Sequence, residues 1–494
     1  MVVKQEVVLV FRGHIIDCKE RGMPLCIRQR AVLGVTREGR IAFVEERHDE
    51  TLEPGSRVIL RNNDEHPIAQ DGVIKQLPPR GFLCPGFVDT HTHAPQFSFA
   101  GMGYDLQLLQ WLTTYTFPHE AKFRDNAFAA KVCHNAVRRT LRAGTTTCMY
   151  FATTHTDAAV QLGRIASGMG QRALVGKVAM DRNAPEYYCE EREESLCETE
   201  RFVSLMLEDA VEAAEGRARG ARVGEGGTCQ PCETLGPPAL PVICPRFVPT
   251  CTAELLFGLA KIAAQYEPPL HITSHISENL GEIQWVNQLH PEHKSYIMCY
   301  DHPGLITPRT VLAHGVYLTD ADRTRLAESG TSISHCPMSN SMLRSGCCNV
   351  RQLLDAGVTV SLGTDVCGGA SPSMLSAIRE AIKVSNLVSL DQQRPDGGTW
   401  APLSMNEAFW LATRSGATSL DIEGVTGDFS VGAWLDALVV DPEVEDAPFD
   451  LYDGERAQAA FDKWLMLGDE RNNVEVYVQG KRVLPNPIAC RPCA

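Results

Sequence analysis

Between residues 6 and 77 the apolar side chains come in short alternating runs, VVLVF, AVLGVT, IAFVEE and RVIL, separated by Gly, Asn and Asp. That period of two, punctuated by turn formers, predicts strands. The same character returns in WLDALVV at 434–440 and VEVYVQGKRV at 474–483. Neither end has an obvious core of its own, so the pattern predicts a small composite β-sandwich from residues 1–80 together with 428–494. Between them short apolar runs alternate with longer helical patterns, which points to a parallel α/β architecture. The candidate strands are FLCPGFVDT (82–90), TTTCMYF (145–151), RALVGKVAM (172–180), PVICPRFV (241–248), PLHITSHI (269–276), TVLAHGV (310–316), TSISHCP (331–337) and VTVSLGTD (358–365). Eight such strands predict a (β/α)8 barrel over residues 81–427, with its chemistry at the C-terminal strand ends. An open doubly wound sheet is the alternative, but its Gly-rich dinucleotide fingerprint is missing. The stretch GRARGARVGEGGTCQPCETLGPPALP (216–241) has no periodicity and is expected to form a long surface loop.

His91 and His93 close the first barrel strand in PGFVDTHTH. Residues two apart on a strand share a side, so both imidazoles can face one cation at the barrel mouth. An HxH pair alone fits two ordinary histidines equally well, and its company changes the picture. The fifth strand ends in SHISE, the sixth contains LAHG and the eighth ends in GTD, placing His275, His314 and Asp365 at the same end. Imidazole and carboxylate without thiolate suit zinc or iron(II) at an open catalytic site, where the metal acidifies a bound water. Glu278, three residues beyond His275, can reach that water as general base. Seen by itself it is equally a first-turn helix carboxylate after Ser277.

Several spellings are decoys. HITSH mimics a helical zinc motif, but Pro268 and Pro269 favour a strand, on which His271 and His275 lie about 13 Å apart. His271 is therefore expected to pack rather than ligate. His119 and Glu120 lack the second histidine of HExxH, position 123 being Phe, and His290-Pro291-Glu292 is followed by no PCxxC. The pairs Cys229/Cys232 and Cys490/Cys493 sit in irregular segments and read as ordinary thiols.

Composition narrows the partners. The 494 residues carry 46 Lys and Arg against 61 Asp and Glu, a net charge of -15, which argues against binding a phosphate backbone and leaves a small molecule as the expected partner. The opening MVVKQEVVLVFRG is broken by Lys4, Gln5, Glu6 and Arg12, so neither a signal peptide nor a membrane span is expected there or elsewhere. Eighteen scattered cysteines without an export signal point to reduced thiols and the cytoplasm.

PGFVDTHTH, SHISE, LAHG and GTD, in that order inside a barrel with a composite β module, resemble the amidohydrolase superfamily. His93-Ala94-Pro95-Gln96, FAGMGYDLQLLQWLTTYTFPHE, ESLCETERFV, CPRF, HISEN, SHCPMSN and LGTDVCGG narrow the resemblance to its guanine-deaminating branch, over nearly the whole chain. The resemblance implies one zinc, or less commonly Fe2+, held by His91, His93, His275 and Asp365, with His314 beside the metal-bound water. It assigns proton transfer to Glu278 and Asp365, and contact with guanine to Gln96, Arg246 and Phe247 as well as to the residues at the metal. A homodimer is implied too. Arg246 is an obligate donor, so aimed at a guanine carbonyl it selects C=O over the amino group of adenine. The chain departs from the family pattern in 216–241 and at Pro95 and Met338.

Three rivals remain at this level. A two-metal ring hydrolase normally bridges its ions with a carboxylated lysine at the fourth strand, where PVICPRFV offers none; Lys177, on the third, reads as a core-edge residue. A deaminase or chlorohydrolase acting on another heterocycle differs only in its substrate contacts. A catalytically silent scaffold is expected to lose metal ligands, and all of them are present.

Overall fold

The computed structural model describes residues 6–46, 52–62, 64–218 and 237–485, except for the side chains of 213–218. The N-terminal strands are β1 (Val7–Asp17), β2 (Cys26–Thr36), β3 (Ile41–Glu46), β4 (Arg57–Ile59), β5 (Glu65–Gln76) and β6 (Phe82–Pro85). Then come β7 (Phe87–His93), β8 (Thr145–Phe151), β9 (Arg172–Ala179), β10 (Leu240–Pro245), β11 (His271–Ile276), β12 (Thr310–His314), β13 (Ser332–His335) and β14 (Val360–Leu362). The last three are β15 (Ala437–Val440), β16 (Asn473–Val478) and β17 (Lys481–Leu484).

Strands β7 to β14 pair in chain order, all in parallel. Helices such as Asn126–Arg142, Thr156–Gly168 and Ala253–Ala264 return the chain between them. The ring closes where the chain beyond β14 meets β7: the Asp365 N–H donates to the His91 carbonyl at 2.8 Å and the His93 N–H to the Val366 carbonyl at 2.9 Å. This is an α/β barrel of eight strands among the described residues. Every residue of β7 and β8 is buried, as expected of parallel strands covered on both faces. Val88, Met149, Leu174, Val242 and Val311 fill one layer of the interior with Leu420.

The other strands form one mixed sheet in the order β17-β16-β15-β6-β1-β2-β3, from which β5 and β4 branch at β1. The first half of β1 pairs with β5 and its second half with β6. Phe11 and Ile15 of β1 share a core with Ala437 and Val439 of β15 and Tyr477 of β16, so both chain ends contribute to it.

Local structure differs from the sequence reading in three places. The run 82–90 is two strands, because β6 leaves the barrel to pair antiparallel with β15. Gly86 makes the break: its N–H donates to the Asp436 carbonyl at 3.0 Å, and a Cβ there would lie 2.2 Å from Thr146 Oγ1. The run 474–483 is a hairpin, turning through Gln479 and Gly480, both at positive φ. Of the segment 216–241, expected to be a loop, the helix Arg192–Ala218 takes the start and β10 the end. Residues 219–236, with Cys229 and Cys232, lie outside the described residues, as do Cys490 and Cys493. The fourteen cysteines among the described residues are unpaired, and no described helix is long and apolar enough to cross a membrane.

Candidate functional site

The C-terminal ends of β7, β11 and β12 and the turn after β14 bring His91, His93, His275, His314 and Asp365 into one cluster, buried except for a partly exposed His275. Asp365 Oδ1 lies 3.2 Å from His91 Nε2 and 3.3 Å from His93 Nε2, while His93 Nε2 lies 3.3 Å from His275 Nε2. Ring nitrogens of His91, His275 and His314 fall within 4.8 Å of one another. Burial holds the His91 imidazole down to about 4 and His275 well below the ordinary range, so both are neutral and offer lone pairs. Burial opposes ionisation of Asp365 as well, but His91, His93 and His314 hold it well below the usual carboxylate range.

Supporting contacts aim these groups. His275 Nδ1 donates to the Arg246 carbonyl at 2.6 Å, turning Nε2 into the site, and His314 Nδ1 donates to Asn340 Oδ1 at 2.8 Å. Asp89 accepts from the His91 N–H at 3.2 Å, the Thr364 N–H at 3.1 Å and the Thr364 hydroxyl, stapling β7 to the turn that carries Asp365. Ser277, His314 and Asp365 sit at φ 48°, 77° and 47°, left-handed backbone held here by the fold at a cost of about 1–3 kcal/mol each.

The fit for a divalent cation rests on an unmet need. His91 Nε2 is buried without a hydrogen-bond partner, although Asp365 Oδ1 stands beside it. A polar atom left so is costly unless something completes it. His91, His93, His275 and Asp365 give three nitrogens and one oxygen, a donor set suited to such an ion. Cys336 also approaches His91 and Asp365, but burial pushes its thiol well above its ordinary range and its Sγ turns to the Ser334 carbonyl.

Glu278 stands beside this cluster, with His314 Nε2 3.4 Å from its Oε2. Its backbone is fixed by the capping box of the helix Leu280–Leu289, in which Asn279 is the cap and Glu282 Oε2 accepts the Glu278 N–H at 2.9 Å. Ser345 donates to Glu278 Oε1 at 3.0 Å. Burial pushes the Glu278 carboxyl up to about 7, with His314 working against the rise and Glu282 and Asp365 adding to it. A carboxyl poised there exchanges protons readily near neutral pH.

At the other end of the pocket Arg246, just past β10, grips Glu120: Nη1 donates to Oε2 at 2.6 Å and Nη2 to Oε1 at 3.2 Å. Gln96 Nε2 donates to Glu120 Oε1 at 3.1 Å and Tyr188 Oη to Glu120 Oε2 at 2.8 Å. Phe247 faces His275 and Trp285 edge-on, with ring centroids 6.5 and 6.4 Å away. The pocket between the two ends measures about 420 Å³ including its mouth, and Leu108, Trp111 and Leu112 line it from the segment after β7. It sets polar groups against an apolar wall, as small-molecule sites do.

All the residues singled out from sequence, His91, His93, Gln96, Arg246, Phe247, His275, Glu278, His314 and Asp365, thus surround or adjoin one pocket. His271 lies apart, its Nε2 donating to the Leu420 carbonyl at 2.9 Å and its Nδ1 accepting from Arg309 at 3.1 Å. Lys177 is not at a core edge: it is fully buried and its Nζ donates to Glu190 at 2.7 and 3.0 Å. Sequence reasoning passed over Asp89, Asn340, Ser345 and the apolar roof, and set Glu120 aside as half of a failed metal motif. The sequence around Glu120, TFPHEAKFRD, carries no signal of its burial, which shows only in the fold.

Residues 82–483 match the amidohydrolase family. The chain is 41% identical over 488 residues to the guanine deaminase of Mus musculus, covering 97% of each chain. It is 38% identical over 483 residues to that of Dictyostelium discoideum, covering 98% of this chain and 100% of the relative. Among solved structures, guanine deaminase from C. acetobutylicum with guanine bound in its active site superimposes with a TM-score of 0.80 at 30% identity, over 96% of this chain and 99% of that one.

Proposed function

The chain belongs to the amidohydrolase family, and from that premise we propose that it is a guanine deaminase, converting guanine and water to xanthine and ammonia. The observation that carries this reading is the pocket itself, which incompletely partnered imidazoles line together with a paired arginine and a glutamine.

In this reading His91, His93, His275 and Asp365 hold one zinc ion. When bound, the ion supplies a water acidic enough to attack near neutral pH. Arg246 donates to the carbonyl oxygen of guanine, Gln96 meets the adjoining purine edge and Phe247 packs against the ring. Glu278 takes a proton from the attacking water and delivers it to the ring nitrogen beside C2. Asp365 moves the second proton to the departing amine, so that ammonia leaves and the C2 carbonyl of xanthine remains. His314, held by Asn340, keeps its Nε2 toward both carboxylates at 3.4 and 3.9 Å. The residues 1–80 and 428–494 are assigned to a supporting β module and 81–427 to the catalytic barrel. A cytoplasmic setting, supported by the unpaired cysteines, and a homodimer, supported by the family resemblance, complete the reading.

The test is direct: purified, metal-analysed protein is given guanine, with xanthine and ammonia followed and adenine, cytosine and guanosine as controls. Guanine turnover that rises with zinc to one ion per chain is the expected result. A metal-loaded protein inert toward guanine sinks the substrate.

A further inference from the structure

Glu120 takes no part in the proton transfers above, yet it is wholly buried at the pocket's far end and takes four hydrogen bonds from three side chains, Arg246, Gln96 and Tyr188. A buried ion pair alone is weak evidence of function, because such pairs also arise as structure. Two features separate this one. Both residues that read the purine edge hang on the same carboxylate. Gln96, moreover, cannot turn over: its Nε2 faces Glu120, an acceptor, while its Oε1 accepts from the Cys367 N–H at 3.2 Å. A reversed amide would set oxygen against carboxylate and NH2 against N–H. Arg246 is equally confined, with the Phe117 ring 5.2 Å from its guanidinium carbon.

Resting on the guanine deaminase reading, we propose that Glu120 is a positioning residue that sets specificity for a 6-oxo purine. It holds the Arg246 fork so that the N–H groups left over meet the ring carbonyl, and it fixes which edge Gln96 presents. Glu120 is not among the residues lining the pocket and acts through the two that do. Its charge also cancels that of Arg246. The pocket therefore offers directed donors rather than a bare cation, and a carbonyl accepts from them where a 6-amino group does not.

The experiment compares the zinc-loaded enzyme with Glu120→Gln and Glu120→Asp on guanine and on 2-aminopurine, which keeps the ring and the reacting amine but lacks the 6-carbonyl. For Glu120→Gln, kcat/KM on guanine is expected to fall about 100-fold or more, mostly through KM, while 2-aminopurine turnover or inhibition shifts less than about 3-fold. Glu120→Asp recovers part of the preference. An equal loss on both ligands, or a preference left unmoved, overturns the proposal. Should Glu120→Gln not fold, Tyr188→Phe decides: it removes one donor to Glu120 and leaves the ion pair, and a preference reduced several-fold supports the proposal whereas an unchanged one overturns it. A wild-type protein that leaves guanine untouched sinks the guanine reading and this inference together. A wild type that deaminates guanine while its Glu120 variants keep the preference sinks this inference alone.

Discussion

At the imidazole end of the pocket His91 Nε2 is buried without a hydrogen-bond partner, whereas at the arginine end Glu120 is met by four hydrogen bonds from three side chains. His91 and Glu120 are equally buried, so burial does not distinguish them. The difference lies in what each awaits. The first is a set of lone pairs that, in the proposed reading, an ion would complete. The second is complete within the protein and needs only a ligand that matches its fixed donors. A metal end tolerates no change of ligand type, while a recognition end degrades by steps as its geometry loosens.

The largest effect is expected at the first end. Asp365→Asn, or chelation of the wild type, should cost roughly 10⁴-fold or more in guanine turnover, with metal content falling in parallel. A variant that keeps both its zinc and its activity breaks the comparison. Glu278→Gln should lose roughly 10²–10⁴-fold in kcat with zinc retained, as measured by steady-state kinetics beside metal analysis. Arg246→Lys should come next, raising KM for guanine about 10- to 100-fold with little change in kcat, because an ammonium keeps the charge and loses the fork. The smallest catalytic effect belongs to His271→Ala, which should lower stability by about 1–3 kcal/mol in a denaturant titration and leave kinetics and metal content alone.

The pH dependence sharpens the same contrast. Glu278 is pushed up from its ordinary 4.5 to about 7, chiefly by burial. As a proton acceptor it works ionised, so kcat/KM should fall as pH drops below about 7. The sign for stability is opposite: the folded, metal-free protein holds this proton more tightly than the unfolded chain. Its contribution is therefore fully present below about pH 4.5 and lost as pH rises through about 7. Above that, ionised Glu278 costs the metal-free fold about 3 kcal/mol. Glu278→Gln should remove that cost, and a metal-free variant no more stable than wild type at pH 8 would show the carboxyl to be ordinary.

The barrel was legible because parallel strands buried on both faces are written as apolar runs, and the histidine and carboxylate cluster because HxH, SHISE, LAHG and GTD fall at strand ends. What stayed hidden depends on partners far along the chain. Nothing near residue 86 announces that β6 pairs with residues 437–440, and that pairing splits the first expected strand. Glu120 meets Arg246 across 126 positions and Ser345 meets Glu278 across 67, distances over which no local period carries information. Apolar residues such as Leu108 and Trp111 look the same in a roof as in a core.

The single-residue joint at Gly86 leaves β7 no slack. The strand bearing His91 and His93 continues directly from one clamped between β1 and β15. The outer sheet therefore serves as the fixed jaw against which the histidine pair is set, and a barrel cut free at residue 86 would keep both histidines while losing what registers them.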